Sequence, residues 1–484
     1  MSNRRSFLQS TFALGAGLTA VPRLFGAEHS GRMSRMPAGA SVPVNTPDGA
    51  NLPFTMDGGV KVFHLVAEPV RQEILPGKVI DLWGYNGSAP GPTIQVNQGD
   101  RVRVVFDNHL PEPSSIHWHG FEIPEAMDGV PGIGQKPVSP GGRFVYEFTL
   151  HQEGTYFYHS HMAMQEMLGM LGAFIMHPKQ AWAPEVASDH VIMLQEYAVL
   201  PNNTVPNTMS MEYNWLTFNG KAGPAATPIV VRLGDRVRVR LINLGMDHHP
   251  IHLHGFTFWI TGNEGARLAE AQWMRRNTVL VGVAQAQDIE FDAIYPGSWM
   301  LHCHLPHHMM NQMSSNVGRM TRQGSGMGAG EDMESGMGML TGSGNATSDN
   351  RGPSLGRGMG VGSTAEAATT NGLLAQQSAM RDMAGMDMSH GRMAEMLDVA
   401  KDANKTPGFP QDAFMEGPMM AMDKMVEKPE TVGLPEGWSG YVGGMMTLVR
   451  VLPPDLHDRY LELKKQESQN NMRNMPGMGG SYGS

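Results

Sequence analysis

The sequence predicts an all-β chain built mainly from two Greek-key β-sandwich domains of roughly 120 residues each. Three observations lead there. Residues 92–110 (PTIQVNQGDRVRVVFDNHL) align with residues 227–245 (TPIVVRLGDRVRVRLINLG), and in each copy the Gly-Asp-Arg triplet precedes a histidine by the same interval, ending at His117 or His252. Runs such as 101–105 and 236–240 alternate polar and apolar residues with the period of a strand, which puts one face on a core and the other in water. Gly, Pro and Asn punctuate these runs as turn residues do.

The elements follow in order along the chain. Residues 1–27 carry Asn3-Arg4-Arg5-Ser6-Phe7-Leu8-Gln9, a mildly apolar run over 11–21 and small residues at Gly26-Ala27, a pattern resembling a twin-arginine export signal; the expected location is periplasmic or exported. Residues 28–55 read as a linker, 56–180 as the first domain and 188–313 as the body of the second. Residues 314–439 hold 17 of the 41 methionines among Gly, Ser and Ala, a composition too poor in branched and aromatic residues to bury much core, so they are expected to be largely disordered. Residues 443–451 (GGMMTLVRV) have the look of a strand, and the tail from 453 to 484 is expected to hold one short helix through Lys465. A single cysteine excludes an internal disulfide framework. After the signal there is no run of eighteen apolar residues, so no stable membrane insertion is expected, and a net charge of −10 argues against nucleic acid as a partner.

That cysteine lies in the most informative stretch, His302-Cys303-His304-Leu305-Pro306-His307-His308-Met309-Met310-Asn311-Gln312-Met313. A thiolate with imidazoles and a nearby thioether is the ligand set of a blue-copper electron-transfer centre, in which soft sulfur selects copper. Three more clusters accompany it: His117-Trp118-His119-Gly120, His159-Ser160-His161 and His249-Pro250-Ile251-His252-Leu253-His254. An H-x-H spacing on a strand puts both rings on one face, so clusters from different strands can converge on several metals.

With these four motifs the chain resembles the multicopper oxidases, the family of laccases and bacterial copper-resistance oxidases. The resemblance implies cupredoxin-like domains and a copper cofactor set of one type 1, one type 2 and two type 3 ions per active unit. It implies that Cys303, His249 and His308 bind the type 1 ion with Met313 axial, His117 and His252 the type 2 ion, and His119, His159, His161, His254, His302 and His304 the type 3 pair. His248 adjoins His249 and His307 adjoins His308, and the family spacings favour His249 and His308. Electrons accepted at Cys303 would pass through its bonded neighbours His302 and His304. Asp128 matches the family carboxylate that helps deliver protons to dioxygen; as Asp-Gly it is also a turn signal. Some copper-resistance oxidases carry an acidic residue directly after the type 1 histidine, where this chain has Met309; Glu166 and Asp288 are the guesses for a second proton donor.

Comparing the two copies puts blue copper in the second domain alone. The first-domain equivalents of His249, Cys303 and His308 are Ser114, Ser160 and Gln165, and only Met170 matches Met313. With 88 positions from His161 to His249 there is no room for a third domain. The chain therefore resembles the two-domain oxidases, in which the trinuclear cluster forms between subunits of a homotrimer; a cluster within one chain is the alternative. In the family a last strand soon follows the H-C-H-x-x-x-H-x-x-x-x-M loop, so residues 314–439 are expected to be an insertion and 443–452 to close the second domain.

Thioethers suit Cu(I), so the insertion is expected to gather it. The expected activity is one-electron oxidation of Cu(I) or small phenolic donors coupled to four-electron reduction of dioxygen to water, in periplasmic copper tolerance. The alternatives are a laccase for organic substrates and a non-catalytic periplasmic copper-binding protein. A copper nitrite reductase would place type 1 copper in the first domain and lack the type 3 set.

Overall fold

The computed structural model describes residues 42–473 other than 163, 200–202, 212 and 310–420. The export signal, the first half of the linker, Met313, the greater part of the methionine-rich insertion and the extreme C-terminus lie outside the described residues.

The duplicated sequence folds into duplicated sheets. In the first sandwich one sheet runs in the order Phe54–Asp57, Val60–Leu75, Arg101–Asn108, Arg143–Thr149, with Lys78–Tyr85 paired to the far half of Val60–Leu75. Its other sheet runs Ile94–Asn97, Leu171–His177, Gly154–Ser160, Ile116–His119. In the second sandwich the matching sheet runs Ile229–Arg232, Met446–Leu452, Gly297–Cys303, His249–Leu253, and adds Thr278–Val281. The opposing sheet is built on Ser188–Tyr197, Arg236–Asn243, Gln285–Asp292 and Phe258–Asn263. Several sheet neighbours are distant in sequence, such as Ile94–Asn97 beside Leu171–His177 and Ile229–Arg232 beside Met446–Leu452, as Greek-key connections require. The two Gly-Asp-Arg segments occupy the same place in both, each entering the strand that pairs antiparallel with Arg143–Thr149 or Gln285–Asp292.

Alternation dictates the two cores. Val102, Val104 and Phe106 point inward with Phe63, Trp118, Tyr146 and Phe174; Val237, Val239 and Leu241 do so with Ile251, Ile289 and Val449. Gly154–Ser160 and Leu171–His177 are buried on both faces, because Phe157, Leu171, Ala173 and Ile175 meet Val191, Met193, Ile242 and Leu244 of the second sandwich. That apolar layer locks the domains together. Beside it Arg240 Nη1 donates to Thr155 Oγ1 at 2.6 Å, and Thr155 donates to Asp288 Oδ1 at 2.7 Å.

Three segments differ from the sequence reading. The described part of the presumed linker is built into the fold: Val44–Asn45 pairs parallel with Ser188–Tyr197, and Asp48 Oδ2 accepts the Thr227 amide at 2.7 Å. Residues 421–439, read as part of a disordered insertion, pack on the second sandwich. Met422 and Val426 are buried against Trp215, Ala222 and Ala225, and Lys428 Nζ donates to the Ala225 carbonyl at 2.9 Å. A few buried apolar anchors were enough to order a segment whose average composition is polar. The C-terminal helix, Pro454–Arg473, is longer than expected, and its Lys464 pairs with the buried Glu430 at 2.6 Å. No helix among the described residues is long and apolar enough to cross a membrane.

Candidate metal centre

Strand Gly297–Cys303 ends at Cys303, where the short helical turn Pro306–Met309 folds the chain back. The turn is closed by the His308 amide donating to the Leu305 carbonyl at 2.9 Å, and it returns His308 to the cysteine. Ile251, two residues after His249, lies opposite Cys303 in the adjacent strand, which fixes the third side chain. Cys303 Sγ is 3.3 Å from His308 Nδ1 and 3.7 Å from His249 Nδ1, and the two imidazole nitrogens are 3.2 Å apart. All three residues are fully buried. Met446–Leu452 buttresses the loop from the other side: the Cys303 amide donates to the Met445 carbonyl at 3.0 Å and the Met445 amide to the His308 carbonyl at 2.9 Å. Burial pushes the Cys303 thiol up to about 12, so without metal it stays protonated and inert. His248 and His307 stand outside the group; His248 instead accepts the Val283 amide at 3.0 Å.

The outer partners of this centre are unequal. His249 Nε2 meets the fully buried Glu196 Oε2 at 3.1 Å, whereas His308 Nε2 faces the partly exposed Asp247 at 3.7 Å, beyond hydrogen-bond reach.

Two histidine quartets lie on the paired strands. In the first sandwich His117 is opposite His159, with His119 and His161 beside them. Ring centroids are 5.3 Å apart for His117 with His159 and with His161, and His119 Nδ1 is 3.4 Å from His159 Nε2. In the second, His252 is opposite His302, His254 Nε2 is 3.0 Å from His302 Nε2, and the His252 and His304 rings are 5.5 Å apart. Four rings have one nitrogen fixed by a backbone carbonyl: His117 by Asp128, His159 by Ser160, His252 by Asn277 and His302 by Cys303, at 2.6 to 3.0 Å. A carbonyl only accepts, so in the neutral ring Nδ1 carries the proton and Nε2 keeps a lone pair for a metal. Burial, then the neighbouring histidines, push His119 down to about 4, and burial does the same to His302. These rings are neutral near pH 7.

Asp128 Oδ1 lies 3.5 Å from His117 Nδ1, next to the bond from that ring to the Asp128 carbonyl. The following Gly129 has φ +86°, and a Cβ there would sit 1.7 Å from the Ile116 carbonyl, so the turn and the carboxylate's place at the ring depend on the same glycine. Glu166 Oε2 stands 3.2 Å from His159 Nδ1; burial opposes protonation of that ring, yet Glu166 carries it above its ordinary range. Asp288 touches no ligand candidate, being held by Thr155 and Arg240.

Among the described residues no ring contact joins one quartet to the other. The compact metal-capable groups are His117, His119 and His159, and separately His249, Cys303 and His308, each with ligand atoms within 4.8 Å. His161, His254 and His304 are exposed. In the first sandwich the place of the thiolate centre is taken by a buried polar cluster, with Gln165 Oε1 accepting from Ser160 Oγ at 2.7 Å and Ser114 Oγ at 2.9 Å over the buried Met170. Sequence reasoning missed Glu196 and Asp247. The signal for Glu196 was there: a lone acid in the apolar run Val191-Ile192-Met193-Leu194-Gln195-Glu196-Tyr197 needs a buried partner.

Two family profiles described as multicopper oxidase match the chain, at residues 68–181 and 198–321. A copper resistance protein A homolog of Pseudomonas syringae pv. tomato is 42% identical over 164 residues, 34% of this chain and 26% of that protein. Laccase-1 of Cryptococcus neoformans var. neoformans is 47% identical over 212 residues, 36% of this chain and 34% of that protein. The blue copper oxidase of Nitrosomonas europaea aligns in three dimensions with TM-score 0.49 and 32% identity, covering 51% of this chain and 80% of that one. The chain spans only 22% to 26% of the length of the copper-resistance relatives it matches.

Proposed function

The chain belongs to the multicopper oxidase family, and from that premise we propose that it oxidises Cu(I) or small phenolic donors and passes their electrons to dioxygen. The observation that carries the reading is one strand end: Cys303 lies in a buried thiol and imidazole centre, while His302 and His304 on either side belong to the second quartet. The donor set fits copper. One soft sulfur with two imidazoles within 4.8 Å suits a blue-copper ion, and imidazoles with free lone pairs suit the others. Cys303, His249 and His308, together with Met313, would hold type 1 copper. His117 and His252 would hold type 2, and His119, His159, His161, His254, His302 and His304 the type 3 pair. Bound copper would supply one-electron acceptance at the first site and four-electron reduction of dioxygen to water at the second.

The protein's own residues do the rest. The Met445 clamp holds the Cys303 loop rigid, and the carbonyls of Asp128, Ser160, Asn277 and Cys303 hold four rings in their ligating tautomer. Asp128 and Glu166 stand where carboxylates would hold and pass protons beside His117 and His159. Two quartets with no ring contact between them among the described residues, one exposing His161 and the other His254 and His304, support a cluster completed by a second subunit, as in a homotrimer.

Cu(I) is favoured as donor by the surface over His308. Asp247 borders that ring at 3.7 Å, and the residue before it, Met246, is 40% exposed. A carboxylate at the edge of a ligand ring, preceded in the chain by an exposed thioether, is apt for a soft cation. With the twin-arginine pattern this supports a role in periplasmic copper tolerance. The test is oxygen consumption by copper-loaded protein. Fast uptake with Cu(I) supports the metal oxidase, uptake with a dimethoxyphenol alone supports a laccase, and none with either at full loading leaves a copper-binding protein.

A further inference from the structure

We propose that Glu196 is a positioning residue for the type 1 centre, fixing the ligating tautomer of His249 and lowering the potential of the metal bound there. The inference rests on Cys303, His249 and His308 holding copper. Glu196 and His249 are both fully buried, so bulk solvent does not reach the carboxylate. Its Oε1 accepts the backbone amides of Met246 and, at 2.9 Å, Asp247, in the loop leading into His249. Its Oε2 is left for His249 Nε2 at 3.1 Å.

Such close approach of loop and carboxylate requires Gly245, where a Cβ would lie 2.0 Å from Oε2. With Oε1 taken up by two backbone donors, Oε2 is the acceptor left facing Nε2, so Nε2 bears the imidazole proton. His249 Nδ1 then has a free lone pair, and it is the nitrogen that faces Cys303 Sγ and His308 Nδ1. A carboxylate on the far nitrogen makes the ring a stronger donor, which stabilises the oxidised metal over the reduced one. His308 has only the distant, partly exposed Asp247, so the polarisation falls on one ring of the pair.

Glutamine at this position cannot reproduce the arrangement. If its oxygen keeps the loop amides, its NH₂ meets the Nε2 proton; turned over, its NH₂ meets the two amides. Relief comes from moving the ring proton to Nδ1, which removes the ligand. In the full-length, copper-loaded protein, Glu196→Gln is therefore expected to bind type 1 copper about 10- to 100-fold more weakly in chelator competition. The copper that does bind is expected to have a higher potential in spectroelectrochemical titration. Glu196→Asp, which keeps the charge, recovers part of both. Unchanged affinity and potential in a folded Glu196→Gln protein overturn the proposal. Should that variant not fold, the fully reduced wild-type protein decides: ¹⁵N-histidine spectra are expected to show a slowly exchanging proton on His249 Nε2, and a bare Nε2 overturns the proposal. If wild-type protein shows no thiolate charge-transfer band on copper loading, the type 1 reading fails instead, before Glu196 is tested.

Discussion

The separation of the two histidine quartets leads to a quantitative experiment. A subunit with His117→Ala/His119→Ala keeps the second quartet and the Cys303 centre; one with His302→Ala/His304→Ala keeps the first quartet. If each cluster combines the first quartet of one subunit with the second quartet of its neighbour, a ring of subunits has one cluster per interface. With equal amounts assembled at random, an interface works only when the second variant supplies the first quartet and the first variant supplies the other. The two choices are independent, each with even odds, so roughly a quarter of wild-type activity is expected whatever the ring size. A cluster inside one chain gives none, because every chain lacks half of its ligands. Differently tagged variants, co-expressed and purified through both tags, would be assayed for oxygen uptake beside each variant alone. Purification through both tags discards the inactive pure rings, so the yield from a trimer rises to about a third. No recovery in verified mixed assemblies would falsify the shared cluster.

Other consequences are simpler to check. Cys303→Ser is expected to remove the intense visible absorption and the oxidase activity while near-ultraviolet circular dichroism stays native, since among the described residues no other thiol exists; a variant that remains blue would refute the type 1 assignment. Deleting residues 320–415 behind a short Gly/Ser linker should lower Cu(I) oxidation at limiting copper and leave phenol oxidation equal or higher, because a tethered thioether-rich segment raises local Cu(I) concentration; equal loss of both rates would make the segment structural. Extending the deletion to 435 should lower stability as well, by about 2 to 5 kcal/mol in urea unfolding, since it strips Met422 and Val426 from their buried sites. His190 is buried, its Nε2 has no hydrogen-bond partner among the described residues, and burial pushes it down to about 4. Its folded value lies below the unfolded one, so the unfolded chain binds the extra proton, and stability is lost as pH falls from the ordinary histidine range near 6.5 toward 4. The full effect is on the order of 3 kcal/mol; His190→Leu should flatten the metal-free protein's melting profile between pH 7 and 5, and an unchanged slope would show that other groups carry it.

The sequence by itself determined the repeated sandwich and made the histidine and cysteine clusters visible. Strand alternation and turn residues are local consequences of backbone geometry, and the repeated Gly-Asp-Arg at matching distances from His117 and His252 made the duplication visible. The motif spacings of the family the chain resembles also favoured His249 over His248 and His308 over His307, the same members that meet Cys303 in space. What it did not determine depends on approach between segments far apart in the chain. Gly154–Ser160 lost its alternation because a second domain covers its outer face, and residues 421–439 were ordered by a few anchors that their average composition hides. Glu196 lies 53 positions from His249 and no motif links them. Only the fold brings a lone acid of one strand against the far nitrogen of a ring whose near nitrogen faces the cysteine. The separation of the quartets is likewise a tertiary fact: H-x-H spacing aligns two rings on a strand, but whether two such faces meet depends on how the domains dock, and here the apolar layer around Phe157 and Ile242 fixes that docking.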